Sequence, residues 1–385
     1  MEEWKEYKLE EIAEFRTGKL NSNASVDNGR YPFFTCAPET YYINDYAFDQ
    51  KAILLAGNNA EGNFNIKYYE GKFNAYQRTY VINPTRDDVD IHYLYYSLQL
   101  CLQSFKLLSQ GTSTKFLTAK ILNAFSIQVP TKFVQDKIVR IIKSLDDKIE
   151  VNRQINDNLE QQAQALFKAW FVDFEPFKDG EFVESELGMI PKGWRVGTLN
   201  EIAVITMGTS PSGTSYNTEG QGDVFYQGRA EFGFRFPKRN MYTTEAKRFA
   251  EVDSILVSVR APVGDINVAE ERCCIGRGLA SVKSKTNNNS YILYLMKNLK
   301  PVFDRFNGEG TVFGCINKKS FEEIQIIIPA EKIIYEYNSI VNSMDALIKR
   351  NEQESRRLAT LRDTLLPKLM SGELKVNDMR LSEKQ

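Results

Sequence analysis

The sequence predicts an α+β protein: two pseudo-repeated domains with twisted, mostly antiparallel sheets, separated by two long helices packed as an antiparallel coiled coil. Three observations predict it. From Lys132 to Trp170 no Gly or Pro occurs, and Ile138, Ile142, Leu145, Ile149, Asn152, Ile155, Leu159, Ala163, Leu166 and Trp170 recur at steps of three or four. That is the apolar seam of a helix meant to lie against another. At 1.5 Å per residue, roughly 40 residues make a rod of about 60 Å.

The second observation is a repeat. Shifting the numbering by 199 places Gly111-Thr112 on Gly310-Thr311, Lys120 on Lys319, Pro130 on Pro329, Ile141 on Ile340, Asp146 on Asp345, Asn152 on Asn351 and Leu166 on Leu365. At the front, Trp4, Leu9, Glu11 and Ile12 recur with the spacing of Trp194, Leu199, Glu201 and Ile202. One half-molecule is written twice, with a period that fits a domain plus its helix. The third observation is a set of short β-branched and aromatic runs bounded by Gly and Asn, the pattern of sheet strands and their turns.

These place a first domain over 1–130, a long helix over 131–172, a linker over 173–193, a second domain over 194–329, a second long helix over 330–370 and a polar tail over 371–385. In the first domain an extended arm and short helix over Trp4–Arg16 lead into a loop. Strands follow at Tyr31–Cys36, Ala52–Ala56, Phe64–Tyr69, Arg78–Ile82 and Phe125–Val129, with turns at Gly57–Gly62 and Glu70–Lys72 and helices at Ile91–Ser109 and Ala119–Asn123. Pro176, Gly180, Gly188, Pro191 and Gly193 mark the linker. Strands of the second domain fall at Val224–Gln227, Ser254–Val259, Asp265–Val268, Cys273–Ile275, Leu279–Lys283 and Ile324–Ile328, and between Gln227 and Val282 the two domains do not resemble each other. Shared ends and differing middles suggest one scaffold facing two different targets. Pro367 should kink or end the second long helix. Asn152 and Asn351 occupy equivalent seam positions, where an Asn lowers stability but fixes register. They are expected close to the middle of the pair.

Composition narrows the chemistry. The 385 residues are 42% hydrophobic and 26% charged, with Lys+Arg 49 against Asp+Glu 50. No apolar run approaches the roughly 18 residues of a membrane span, and the first residues do not resemble a signal peptide, so the expected compartment is the cytoplasm. Cys36, Cys101, Cys273, Cys274 and Cys315 lack framework spacing and fit a reducing environment, with Cys273-Cys274 either buried thiols or a metal or redox pair. The single histidine, His92, starts an amphipathic helix and has no ligand cluster around it, so no metal site is expected. The sequence has no phosphate-binding Gly-x-x-x-x-Gly-Lys-Ser/Thr loop, no Gly-x-Gly-x-x-Gly after a strand and no His-Glu-x-x-His. It also lacks the Asn-Pro-Pro-Tyr type of tetrapeptide with which amino-methylating enzymes hold a flipped base. Intrinsic catalysis and resident cofactors are not expected.

The layout of Gly111-Thr112, Pro130, the rod, Leu187-Gly-Met-Ile-Pro-Lys-Gly-Trp194, Gly310-Thr311, Pro329 and a second rod ending Leu365-Leu-Pro-Lys-Leu-Met-Ser-Gly-Glu373 resembles the specificity subunit of type I restriction-modification systems. The likeness covers essentially the whole chain, with one departure at Thr131-Lys132, where the family often has another proline. It implies that each domain is a target-recognition domain reading one half of a split, asymmetric site in double-stranded DNA. It also implies that the helix pair acts as a ruler between the half-sites and docks two methyltransferase subunits and the restriction and translocase subunits. S-adenosylmethionine, ATP and Mg would belong to those partners.

Against that resemblance, polar loop residues become candidates for DNA contact, since Asn and Gln pair with adenine edges, Arg with guanine and Lys with phosphate. In the first domain these are Asn58, Asn59, Asn63, Gln77, Arg78, Thr79 and Lys115, with Gln77-Arg78-Thr79 at a strand start favoured. In the second they are Gln227, Arg229, Arg235, Arg260, Arg277 and Lys318. Arg260 ends an apolar strand and either faces DNA or pairs with a carboxylate such as Asp253. Phe167, Trp170 and Phe171 crowd more aromatic surface than a two-helix seam buries and serve either sheet packing or partner docking. Leu365, Leu366 and Leu369 are either core or a docking face. The competing reading is a structural adaptor whose two domains bind proteins, which the near-neutral charge favours.

Overall fold

The computed structural model describes residues 4–308 and 314–376. The chain divides into two compact units, one running up to Glu150 and resuming at Ser355, the other covering Val151–Glu354. The division falls inside the two long helices rather than at their ends.

In the first unit the opening arm, β1 (Lys5–Lys8), leads into a single helical turn, α1 (Leu9–Ile12), and then into β2 (Ala13–Thr17). The turn forms because the Glu11 carboxylate accepts the Lys8 main-chain N–H at 2.6 Å while Leu9 and Ile12 are buried. Next come β3 (Tyr31–Phe34), β4 (Tyr41–Ile43), β5 (Phe48–Ala56), β6 (Asn58–Asn59), β7 (Ile66–Ala75) and β8 (Thr79–Pro84). The helices α2 (Ile91–Leu100) and α3 (Leu102–Leu108), β9 (Lys115–Phe116), α4 (Ala119–Ala124) and β10 (Ser126–Val129) complete the domain. Asp90 caps α2 by accepting the His92 and Tyr93 N–H groups. The main sheet has the order β2-β8-β5-β7-β3-β4, antiparallel except for the β3–β7 pair. One face packs Ile53, Leu55 and Ile82 against Tyr93, Leu94, Ile138, Ile142, Leu366 and Leu369; the other buries Leu54, Phe73 and Val81. The buried helix residues come from both long helices, α5 (Lys132–Phe171) and α10 (Glu331–Met370), each forty residues long.

After its share of α5 the second unit continues with the hairpin β11 (Phe182–Ser185) and β12 (Gly188–Pro191), inside the stretch expected to be linker. β13 (Arg195–Thr198), α6 (Leu199–Ile202) and β14 (Ala203–Met207) repeat the arm, turn and strand, with Glu201 accepting the Thr198 N–H at 2.8 Å. There follow β15 (Tyr216–Asn217), β16 (Asp223–Tyr226), β17 (Tyr242–Thr243), β18 (Phe249–Ala250), β19 (Ile255–Ser258), β20 (Ile266–Val268), β21 (Cys273–Ile275) and β22 (Leu279–Ser284). The unit closes with α7 (Asn289–Asn298), α8 (Lys300–Gly308), α9 (Lys318–Glu322) and β23 (Gln325–Ile328). The strands form two sheets, β14-β22-β19-β20 and β15-β17-β16-β21-β18.

Those two sheets are the first unit's sheet with its central hairpin broken. β14, β22, β16 and β17 stand where β2, β8, β3 and β4 stand, and β18 with β19, and β20 with β21, replace the long β5 and β7. The parallel pair recurs as β16–β21, and β13–β23 repeats β1–β10. The middles that share no sequence thus share strand order, which corrects the expectation that the sheets themselves differ.

The long helices run antiparallel within each unit. In the second, Asn152 donates to Glu354 at 2.8 Å, Asn351 donates to Asn156 at 2.9 Å and the Tyr337 hydroxyl donates to the Ala163 carbonyl at 3.0 Å. In the first, Arg362 donates to Asp146 at 2.7 Å. Asn152 and Asn351 are both buried, at the midpoints of their helices.

Tertiary contacts override two local signals, the turn at Glu70-Gly71-Lys72 and the helix stop that is one of the two outcomes expected at Pro367. Glu70-Gly71-Lys72 makes no turn but lies inside β7, where pairing with β5 continues through Gln50 opposite Gly71, and the glycine absorbs the distortion at φ +130°. Pro367 sits inside α10, which continues to Met370 because Leu366, Leu369 and Met370 are buried in the first unit's core. Of the expected polar tail, Val376 is buried in that core and the residues after it lie outside the described ones. Among the described residues no helix is long and apolar enough to cross a membrane.

Phe167 packs on Tyr291 and Tyr337 in the second unit's core. Phe167→Ala is therefore expected to destabilise that unit by about 3–5 kcal/mol, whereas Leu107→Ala, at a residue 86% exposed, should stay within about 0.5 kcal/mol. Urea unfolding of the two variants measures both.

Candidate nucleic-acid interface

The central strands of each unit end in the same construction. β5 and β8 pair through Ala56 opposite Thr79; one step on, the Gly57 N–H donates to the Arg78 carbonyl at 2.8 Å while the Gly57 carbonyl accepts from Leu117 at 2.9 Å. In the second unit β19 and β22 pair through Ser258 opposite Leu279. There the Val259 N–H donates to the Gly278 carbonyl at 2.9 Å and its carbonyl accepts from Ile316 at 3.1 Å. Beyond this step the ladders end: Asn58 and Arg260 follow Gly57 and Val259, while Gln77 and Arg277 hold the same place in two turns, closed by the Thr79 N–H on the Tyr76 carbonyl at 2.8 Å and by the Leu279 N–H on the Gly276 carbonyl at 3.0 Å. The third neighbour repeats too, since Asn58 bridges Phe116 and Arg260 bridges Cys315. The strands approach closely at Gly57, where a Cβ would stand 2.4 Å from the Arg78 carbonyl oxygen.

In the first unit this end is a cleft of about 400 Å³ lined by Thr17, Gln77, Arg78, Tyr80, Phe116 and Thr118. Gln77 and Arg78 are exposed; the Gln77 amide donates to Asn21 at 2.9 Å, and the Arg78 guanidinium lies 5.0 Å from the Phe116 ring centroid. Lys115 is half-buried and pairs with Asn59 through β6 and β9. Three other candidates have structural work instead. Thr79 is 1% exposed and faces inward. The Asn59 side chain accepts the Glu61 and Asn63 N–H groups and so builds the turn, and the Asn63 side-chain oxygen accepts from Lys106 at 2.7 Å. Thr79 is thereby withdrawn as a DNA contact: strand alternation turns it to the sheet interior.

In the second unit Gln227, Arg260 and Arg277 are exposed. The Arg277 main-chain N–H donates to the Ser210 hydroxyl at 3.2 Å, which fixes the backbone and leaves the guanidinium outside. Asp253 pairs with Lys349 at 2.9 Å, so the carboxylate considered for Arg260 is engaged elsewhere. Arg229 is paired with Asp265, and Lys318 lies 3.5 Å from Glu322.

Arg235 is the clearest correction. It is 3% exposed, paired with Asp345 at 2.6 Å and with Glu160, while Lys297 pairs with Glu160 from the other side and the Tyr294 hydroxyl donates to Asp345 at 3.0 Å. A buried guanidinium needs such carboxylates because desolvation of an unpaired charge costs several kcal/mol. The network seats the domain on α5 and α10 within that unit. Its first-unit counterpart is Asp146, which accepts the Tyr96 hydroxyl at 2.8 Å and pairs with Arg362. Sequence reasoning matched Asp146 with Asp345 but missed what they hold; a tyrosine at the sixth position of both α2 and α7 was the available signal.

The proposed docking aromatics are core as well. Phe167 and Phe171 are buried among Tyr291, Tyr337 and Trp194, and Trp170 packs on Tyr337 at 6.1 Å. α7 supplies the extra wall that a two-helix seam lacks. Leu366 and Leu369 are buried and Leu365 packs against them in the first unit's core. His92 is half-buried with its ring 4.3 Å from that of Tyr68, and burial lowers its pKa. Among the described residues no group of three or more His, Cys, Asp or Glu could hold a metal ion.

A scaffold kept in two copies, with unlike polar side chains at equivalent strand ends, defines a bipartite recognition protein. The family described as type I restriction modification DNA specificity domain matches residues 1–161 and 191–362, and the chain belongs to it. It is 28% identical to a putative type I restriction enzyme MjaX specificity subunit of Methanocaldococcus jannaschii, over 97% of this chain and 94% of that one. It is 27% identical to the EcoDI specificity subunit of Escherichia coli, over 97% and 89%. The fold is similar to the crystal structure of a type I restriction-modification S subunit from M. genitalium, with a TM-score of 0.60 and 18% identity over 96% of both chains.

Burial alone would raise the Glu160 pKa, but the Arg235 and Lys297 charges outweigh it and hold the pKa below the ordinary range. A depressed pKa contributes stability above the unfolded value, about 4.3, that is lost as pH falls through the folded one. Glu160→Gln should therefore cost on the order of 3 kcal/mol at pH 7, and the gap to the parent should narrow below about pH 4. Unfolding measured as a function of pH checks both.

Proposed function

We propose that this chain is the DNA-sequence reader of a type I restriction-modification complex, with each unit reading one half of a split, asymmetric duplex site. The observation that carries this is the repeated strand end, where matching backbone hydrogen bonds are flanked by Asn58 and Gln77 in one unit and by Arg260 and Arg277 in the other. A protein with one target would have little use for two such unlike sets on one scaffold. Asn, Gln and Arg are the side chains that make two-pronged contacts with base edges. Arg78, Lys115 and Lys318 supply phosphate contacts, which position the duplex without reading it. The near-neutral total charge means that affinity leans on local clusters and on partner subunits.

The chain itself is non-catalytic in this reading. Methyl transfer from S-adenosylmethionine and ATP- and Mg-dependent cleavage fall to methyltransferase and restriction subunits docked on it. With the aromatic cluster and the terminal leucines buried, docking falls to apolar side chains left exposed on the long helices. These are Phe133, Val151 and Ile155 on α5, and Tyr335, Ile340, Leu347 and Leu361 on α10.

Two experiments test the reading. With the methyltransferase present, a gel shift should be selective for sequence and weaken steeply with salt; a protein-binding adaptor would give no selective shift. Replacing residues 195–329 with the matching segment of a relative should change one half of the selected site and leave the other intact, whereas a change in both halves would mean that the units do not read independently. A third concerns assembly: Val151→Asp with Ile155→Asp should reduce co-purification of the methyltransferase while leaving the melting temperature nearly unchanged.

A further inference from the structure

We propose that the paired positions closing the central strands are the base-reading positions, and that they divide the target by base chemistry. Asn58 with Gln77 reads an adenine-containing half-site, and Arg260 with Arg277 reads a guanine-containing one. The inference rests on the DNA-reading function proposed above and assigns residues and base class within it.

Elimination is the first support. In the second unit most arginines around the sheets are already held: Arg229 by Asp265, Arg235 by Glu160 and Asp345, Arg239 by Glu270 and Glu271, and Arg272 by Asp223 and Glu251. Arg248, Arg260 and Arg277 have no carboxylate partner among the described residues and are exposed, and of the three Arg260 and Arg277 flank the repeated strand end. Arg260 follows the end of β19 and Arg277 lies in the turn that leads into β22, with backbones pinned by the Cys315 bridge and the Ser210 hydroxyl. A guanidinium fork carries donors only, so it selects an edge with two acceptors, and guanine presents O6 and N7 in the major groove.

The first unit places amides at the equivalent step. An amide offers one donor group and one acceptor, the complement of adenine N7 and N6. Asn58 is partly exposed, and its side-chain oxygen, buried in this structure, has no hydrogen-bond partner among the described residues. An unpartnered buried acceptor costs about 1–3 kcal/mol, a cost that rotation of the side chain onto an adenine amino group would relieve. Gln77 gives one amide hydrogen to Asn21 and keeps its oxygen and second hydrogen. The same backbone thus carries opposite hydrogen-bonding codes in the two units.

The test is selection from random duplexes by the full chain, purified with the subunits that accompany it from its own cells. The parent should enrich a split site with guanine in one half and adenine in the other. Arg260→Lys and Arg277→Lys keep the charge but lose the fork, so each should lower guanine preference at its position about 10- to 100-fold. The slope of affinity with salt and the other half-site should stay unchanged. Asn58→Ala with Gln77→Ala should relax the adenine-containing half alone. If the lysine variants melt like the parent and select the same bases in both halves, the arginines are phosphate contacts and the assignment is overturned, with DNA reading intact. A parent that selects no sequence would overturn the reading function and this assignment together.

Discussion

A forty-residue amphipathic helix cannot bury its own apolar stripe, and helices within proteins draw most of their stability from packing that face. That constraint organises the chain. Each unit closes its core with a segment of α5 and a segment of α10: Ile138 and Ile142 with Leu366 and Leu369 in the first, Phe167 and Phe171 with Ile334 and Tyr337 in the second. A domain folded without both helices would expose the face on which Tyr93 or Tyr291 is buried. The helix pair is therefore part of each hydrophobic core, which explains why the compact units divide inside the helices.

Seated on that seam, each domain is tied down by an aspartate accepting a tyrosine hydroxyl, Asp146 with Tyr96 and Asp345 with Tyr294. The arginine completing each node has different origins. Arg362 comes from the neighbouring long helix, whereas Arg235 comes from a loop of the domain itself. The scaffold thus tolerates changed sources for one charge while keeping its position. The same economy appears at the strand ends, where the hydrogen bonds of Gly57 and Val259 are alike and the flanking side chains are not. Backbone fixes place and side chain fixes meaning, which is how one ancestral half can come to face two targets.

Features of long period were legible in the sequence, and features set by single distant contacts were not. The seam stripe, the repeat, the asparagines at the helix midpoints and most strands follow from spacing and turn residues, except that Ile155, read as a seam position, is exposed while Asn156 is buried in its place. Glu70-Gly71-Lys72 looked like a turn because its residues favour one, but eight register pairs between β5 and β7 outweigh that preference. The shared strand order of the two middles left no sequence trace, since strand pairing constrains backbone geometry more than side-chain identity. Arg235 in its polar loop was indistinguishable from Arg229 or Arg260, because its partner Glu160 lies 75 residues away on a helix. Phe167 and Phe171 read as surplus aromatic surface for want of a third wall, which α7 provides. Asn58, Gln77, Arg260 and Arg277 were all visible as polar residues near turns; only the register revealed that they are equivalent.

The central claim is that two unlike readers on one duplicated scaffold define one split target. Sequencing modified bases in the DNA of the source cells tests it most directly. The account predicts methylated adenines within a motif of two specified halves, different from each other and separated by a stretch of unspecified bases. A continuous motif, or two identical halves related by symmetry, would contradict it.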